Sequence, residues 1–219
     1  MDQLHERLLA AMAWERRRRS RRMVMAGALK IAAGAAVAMS LGSAPGINRL
    51  ARAQELETDL DVLNYALTLE HLEYAFYRDG VGLFSFGADS RGQSIDTNFD
   101  AIRDHEGAHV ETLVSVITDL GGTPVEEATY DFGDAFADPM AFMTTAAALE
   151  NTGVSAYDGA AQFIRDPDLL TAAGSIVAVE ARHASYLNLL TGEIPFPAAF
   201  ETPKTPAEIL EIAGPFIVS

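Results

Sequence analysis

The chain has 219 residues, of which 49% are hydrophobic, enough for one well-cored domain. It contains no cysteine, which excludes disulfides, thiolate metal sites and a thiol nucleophile. Residues 1–53 hold ten Lys or Arg and three acidic residues, leaving six basic and 28 acidic residues in the remainder. We therefore expect the remainder, with its net charge of −22, not to bind nucleic acid or an anionic membrane unaided.

The chain opens with features of an export signal. A run of arginines at 16–22 precedes an apolar stretch at 23–44 that only Lys30 interrupts. Residues 20–25, Ser-Arg-Arg-Met-Val-Met, resemble the twin-arginine signal, which implies the twin-arginine translocation machinery as a partner.

Small residues at Ala51 and Ala53 predict signal cleavage before Gln54. We therefore interpret residues 1–53 as a signal peptide and expect export across the cytoplasmic membrane, to the periplasm, the cell envelope or the exterior. The alternative is an uncleaved anchor, because an apolar stretch of about 22 residues can span a bilayer.

Residues 54–219 are predicted to form a single all-α domain. Hydrophobic periodicity and capping signals predict four long helices at 59–77, 96–120, 139–164 and 167–190. Asp138-Pro139 and Asp166-Pro167 each place an N-cap before a proline at the first helical position.

The connections between these helices restrict the topology. The third and fourth helices are joined by a very short turn and must pack antiparallel. The connection at 121–138 can reach about 60 Å when extended, whereas a helix of 25 residues is about 37 Å long. It can therefore cross the whole bundle, so the second and third helices can run parallel. A proline-rich tail follows, with one short helix predicted after the capping box of Thr205 and Glu208.

Two Glu-x-x-His pairs lie on apolar helix faces. Glu180 and His183 are three residues apart in the fourth helix, and Glu106 and His109 repeat the spacing in the second. Residues three apart share one face of a helix. Because a carboxylate buried without a partner is costly, a metal ion is a natural partner for these faces.

The first and third helices each add one glutamate on an apolar face, Glu70 and Glu150. The order Glu, Glu-x-x-His, Glu, Glu-x-x-His is the inward-facing ligand set of dimetal carboxylate four-helix bundles. The predicted metal ligands are Glu70, Glu106, His109, Glu150, Glu180 and His183.

Four carboxylates neutralise two divalent ions, which makes burial of the ions tolerable. Oxygen-rich ligands with some imidazole suit iron or manganese, so we expect two Fe or Mn ions. Glu106 and Glu180 are expected to bridge the ions, and Glu70 and Glu150 each to bind one of them.

Several neighbours of the ligand set allow other interpretations. Glu73 is an alternative to Glu70 as the ligand of the first helix. His71 and His105 are expected to be surface or interhelix hydrogen-bonding residues. Tyr74, Tyr77 and Tyr157 are expected in the core, and a hydrogen bond from one of them to a ligand carboxylate is an alternative role. Arg103 and Arg182 are expected to pair with acids near the site.

Three blocks of sequence, at 63–77, 150–161 and 172–184, resemble the exported ferritin-like family that includes the desiccation-related proteins. The resemblance covers roughly residues 56–190. It implies a ferritin-like four-helix bundle with a dimetal centre at the six predicted ligands, all of which are present.

The favoured function is therefore an exported dimetal protein that reacts with peroxide or dioxygen and protects the envelope against oxidative or drying stress. One alternative is iron binding or storage. The other is a non-enzymatic stress protectant in which the metals only hold the helices together.

Overall fold

The computed structural model describes residues 56–218, and the predicted signal peptide lies outside this range. The described residues form five α-helices, α1 (Asp59–Gly80), α2 (Ile95–Asp119), α3 (Pro139–Ala160), α4 (Pro167–Leu190) and α5 (Pro206–Ala213). The predicted all-α fold, with four long helices and one short helix in the tail, is confirmed.

The long helices form two hairpins. α1 packs along α2, α3 packs along α4, and α1 also contacts α3. At one end of the bundle, α1 and α4 contribute their N-terminal halves while α2 and α3 contribute their C-terminal halves. α2 and α3 therefore run in the same direction, as the length of the connection between them allows.

That connection lies along α1 and includes a short 3₁₀ helix, Gly133–Phe136. Asn64 accepts a hydrogen bond from the backbone N–H of Val125 at 2.7 Å. The C-terminal end of the tail also pairs with the connection, where the backbone N–H of Asp131 donates to the carbonyl of Phe216. These contacts hold the crossover against the bundle.

Side-chain caps begin the helices where the sequence predicts. Thr58 and Asp61 form a reciprocal capping box at α1, while Asp138 and Asp166 cap α3 and α4 ahead of their prolines. Each cap satisfies backbone N–H groups that the first helical turn leaves without a partner.

α3 ends earlier than the sequence predicts, at Ala160, and continues as a 3₁₀ turn, Ala161–Phe163. The tail lies across its last turns, where the Lys204 carbonyl occupies the space that a β-carbon on Gly159 would take. Lys204 also donates from its backbone N–H to the Ser155 carbonyl and from Nζ to Ser155 Oγ. The tail therefore packs on the C-terminal end of α3.

The bundle core differs between its two ends. Stacked and edge-on rings fill the end where α1 finishes, among them Phe76, Phe99 and Phe142. Aliphatic side chains such as Leu67, Leu113 and Ile176 line the other end. The four glutamates of the predicted ligand set lie between these two apolar regions, each near the middle of its helix.

Residues 56–195 and 202–218 belong to one compact unit. Phe196–Glu201 lie outside that unit and contain no helix. None of the helices in residues 56–218 combines the length and apolarity needed to cross a membrane.

Candidate metal centre

All six predicted ligands meet in the middle of the bundle. The four carboxylates, Glu70, Glu106, Glu150 and Glu180, are completely shielded from solvent, each at 0% exposure. His183 is also buried, at 5%, and the His109 side chain is 12% exposed. One carboxylate comes from each long helix, and one imidazole from each of α2 and α4.

These residues form two overlapping sets suited to one metal ion each. The first set contains Glu70, Glu106, His109 and Glu180, and the second contains Glu106, Glu150, Glu180 and His183. Within each set, one ligand atom from every residue lies within 4.8 Å of the others. Glu106 and Glu180 belong to both sets, which is the arrangement expected of bridging carboxylates.

Each imidazole directs Nδ1 towards the carboxylates. His109 Nδ1 lies 3.2 Å from Glu70 Oε2, 3.1 Å from Glu106 Oε2 and 3.0 Å from Glu180 Oε1. His183 Nδ1 lies 3.0 Å from Glu106 Oε1 and 3.2 Å from Glu150 Oε2. Nδ1 is therefore the ring nitrogen through which each histidine would bind an ion.

The carboxylates have fewer hydrogen bonds than their burial requires. Among the described residues, three of these carboxylate oxygens make no hydrogen bond. They are both oxygens of Glu180 and Oε1 of Glu106. Glu180 Oε1 and Glu106 Oε1 each lie at ion-pair distance from a histidine Nδ1, but the N–H of that histidine does not point at them. Buried polar atoms normally have partners, and divalent ions would satisfy these oxygens.

Burial also changes the protonation of the site. Desolvation raises the pKa of Glu106 to about 7, despite the opposing effect of His109 and His183. The pKa values of Glu150 and Glu180 are likewise raised, and burial is the largest cause. Burial acts to lower the pKa of both histidines, but the carboxylates outweigh it and raise them to about 12 for His109 and about 10 for His183. Without metal, the cluster therefore holds protons that ions would displace.

Two tyrosines orient the outer glutamates, Glu70 and Glu150, each of which belongs to only one of the two sets. The Tyr157 hydroxyl donates to Glu70 Oε1 at 2.5 Å, and the Tyr77 hydroxyl donates to Glu150 Oε1 at 2.7 Å. In both glutamates, Oε2 is the oxygen nearer to a histidine. The same arrangement occurs in both halves of the site, and it keeps one oxygen of each outer glutamate available for an ion.

His105 extends the site to the surface. Its ring is nearly parallel to that of His183, with ring centroids 5.2 Å apart, and its Nδ1 lies 2.9 Å from His183 Nε2. This contact confirms the expectation that His105 makes an interhelix hydrogen bond. His71 is buried away from the six residues and places Nε2 3.2 Å from the Val125 carbonyl.

Glu73 is a fifth buried carboxylate, 3% exposed, but it belongs to neither metal-binding set. Burial raises its pKa, and repulsion from Glu180 and Glu150 adds to the effect. Its Oε1 would lie only 2.8 Å from a β-carbon added to Gly153, too close for a larger residue there. The geometry therefore favours Glu70 over Glu73 as the ligand from α1, and Gly153 provides the space for Glu73.

The expectation that two arginines pair with acids near the site is wrong. Arg103 pairs with Asp100 and Asp104, which are exposed on its own helix. Arg182 is exposed and makes no ion pair among residues 56–218. Arg182 precedes His183 by one residue and therefore lies off the face that carries the ligands. Tyr74 also lies outside the site, beside Gly107 and Arg78.

Comparison with known proteins agrees with this architecture. No curated protein matches the sequence. The family model of the ferritin-like domain matches residues 58–193, a range that includes all four long helices and all six predicted ligands. By this match and its helical fold, the chain belongs to the ferritin-like domain family.

Proposed function

We propose that this protein is an exported dimetal protein whose carboxylate-bridged iron or manganese pair reacts with peroxide or dioxygen. The observation that carries the proposal is the pair of overlapping ligand sets that share Glu106 and Glu180. A single structural ion would need only one of these sets.

The donor set fits the proposed ions. Four carboxylates balance two divalent charges, and carboxylate with imidazole is a combination that suits iron and manganese. When bound, two ions that each give up one electron would supply the two electrons that, with two protons, reduce one hydrogen peroxide to two waters. The shielding of the carboxylates from solvent would keep this chemistry away from other reductants.

The residues around the set would control its geometry and its protons. Tyr77 and Tyr157 donate to the outer glutamates and hold their orientation. The His105 ring links His183 Nε2 to the exposed face of α2. This link supports a role for His105 in fixing the tautomer of His183 and in passing protons between His183 Nε2 and solvent.

The redox proposal predicts that protein loaded with Fe(II) or Mn(II) consumes hydrogen peroxide or dioxygen, in proportion to its bound metal. A Glu106→Ala/Glu180→Ala variant given the same metal should consume the oxidant at less than about a tenth of the wild-type rate, because neither ligand set is complete. Loss of oxidant is followed with an electrode or by absorbance, with the free metal at equal concentration as the blank.

Protein that binds metal and gains thermal stability, yet consumes neither oxidant, would instead support the structural protectant. Retention of many oxidised irons per chain in a shell-sized assembly, seen by size-exclusion chromatography, would support storage. Either result would overturn the redox proposal.

Export is proposed from residues 1–53, outside the described range. We expect the full chain, expressed in a bacterium with the twin-arginine machinery, to yield an exported polypeptide that begins at Gln54. An Arg21→Lys/Arg22→Lys variant should remain in the cytoplasm with its signal uncleaved, whereas Arg16→Lys/Arg17→Lys, outside the motif, should be exported. Full-length chain in the membrane fraction would support the anchor and contradict cleavage.

A further inference from the structure

A small apolar cavity lies at the end of the bundle where α1 and α4 begin. Its volume is about 40 Å³, and side chains of all four long helices line it, among them Ala66, Leu113, Ala156 and Ile176. A cavity of about 10–15 Å³ is enough for one water molecule, and one of about 150 Å³ binds benzene. The space therefore suits a molecule of two or three heavy atoms.

The cavity lies directly beside the predicted metal ligands. Three of its lining residues are four positions, or about 6 Å along the helix axis, from a ligand on the same helix: Ala66 from Glu70, Leu113 from His109 and Ile176 from Glu180. Tyr157 also lines the cavity, and its hydroxyl donates to Glu70 Oε1. These three ligands all belong to the first ligand set, so the cavity adjoins that set.

The opposite side of the ligand layer is filled by aromatic rings. Phe142 stacks on Phe76, with ring centroids 4.9 Å apart, and packs edge-on against Phe99 at 5.0 Å. Tyr77, which donates to Glu150 of the second set, packs edge-on against both Phe76 and Phe142. The two ligand sets therefore have different surroundings, with a cavity beside the first and packed rings beside the second.

The lining of the cavity favours an apolar molecule. Its side chains are aliphatic or aromatic apart from Thr112, whose hydroxyl donates to the carbonyl of Ala108 on its own helix. Water and hydrogen peroxide would lose hydrogen bonds on entering such a space, whereas dioxygen has none to lose. The lining reaches the surface at Thr112 and Ala172, which are exposed and provide a point of entry.

We propose that this cavity binds dioxygen and holds it beside the first ligand set, by a route into the site that hydrogen peroxide does not use. Reaction of the bound dioxygen rests on the proposed redox function, which leaves the choice between the two oxidants open. The binding itself requires only the cavity, so it can be measured in protein that carries out no reaction.

Dioxygen serves as its own probe, because it is paramagnetic and speeds the NMR relaxation of methyl groups that it contacts. Zinc-loaded protein under O₂ pressure is compared with the same protein under N₂, since Zn(II) is diamagnetic and has no redox chemistry. Metal-free protein is measured in parallel. We expect a several-fold larger increase in relaxation rate beside the cavity than on the opposite side of the ligand layer. The matched methyl groups are all buried and one helical turn from a ligand: Leu113 and Ile176 beside the cavity, Ile102 and Leu187 on the opposite side.

Two matched substitutions in α4 test the location. Ala173 lines the cavity, and Ala178 is exposed elsewhere on the helix. Ala173→Leu should abolish the preferential relaxation and, in iron-loaded protein, slow dioxygen consumption by about fivefold while peroxide consumption stays unchanged. Ala178→Leu should alter none of these quantities. If Ala173→Leu fails to fold, Ala172→Leu at the exposed mouth is the substitute, with the same expected effects.

Equal relaxation of the two pairs of methyl groups would overturn the proposal. An Ala173→Leu variant that slows peroxide consumption as much as dioxygen consumption would overturn it as well, because the two oxidants would then share one route. Preferential relaxation beside the cavity in a protein that consumes no oxidant would support the dioxygen site and overturn the redox function.

Discussion

Purified mature protein is expected to contain two iron or manganese ions per chain, and a Glu106→Ala/Glu180→Ala variant is expected to contain none. Both substituted glutamates belong to both ligand sets, so their loss leaves each set with one carboxylate and one imidazole. Metal content is measured by plasma mass spectrometry after dialysis. Removal of the ions from wild-type protein should lower the free energy of unfolding by about 4 kcal/mol per ion if metal is present at a thousand times its dissociation constant.

The matched control is Glu111→Ala/Glu193→Ala, which changes the charge equally but at exposed positions. It should keep both ions. Single substitutions separate the two sets, because Glu70 belongs only to the first and Glu150 only to the second. Glu70→Ala and Glu150→Ala are each expected to retain one ion. Wild-type protein without metal, after growth in iron and in manganese, would contradict the dimetal centre.

The helices and the six central residues could be predicted because both follow from spacing within a helix. A Glu and a His three residues apart must share a face, and an apolar face must be buried, so the position of each pair was determined locally. The lone glutamates followed from the same periodicity. The direction of α2 and α3 was left open by the connection, and packing at the two ends of the bundle established it.

The supporting residues were harder to predict because they act between helices. Tyr157 reaches Glu70 across 87 positions of sequence, and Tyr77 reaches Glu150 across 73. No periodicity specifies which core tyrosine meets which carboxylate. A small residue such as Gly153 likewise gives no sign in the sequence that it accommodates Glu73.

The metal-free protein is expected to lose stability as the pH rises from about 4.5 through about 7, whereas the metal-loaded protein should gain stability over the same interval. Burial raises the pKa of Glu106 from its usual 4.5 to about 7. A raised carboxyl pKa stabilises the folded state fully below 4.5, and that stabilisation is lost as the pH rises through 7. The shift corresponds to about 3 kcal/mol for this group alone.

The other buried groups act in the same direction. The pKa values of Glu73, Glu150 and Glu180 are raised, chiefly by burial. The histidine pKa values of about 12 and about 10 are raised too, so their stabilisation is lost only above the usual histidine range. With metal the sign reverses, because protons compete with the ions for the same oxygens and nitrogens.

Chemical unfolding across this interval, with and without a chelator, measures both slopes. Repetition in high salt separates the buried cluster from repulsion between exposed acids, since salt screens only the latter strongly. Parallel slopes for the two forms would show that ions do not replace protons in the cluster.

A Glu73→Gln variant makes the test specific to the residues involved. Glu73 is buried beside the site but belongs to neither set, so its amide should make the metal-free slope shallower while both ions are retained. Loss of an ion in this variant would instead identify Glu73 as the ligand from α1. The slope and the metal content together therefore distinguish a carboxylate that binds an ion from one that is buried beside the site without binding an ion.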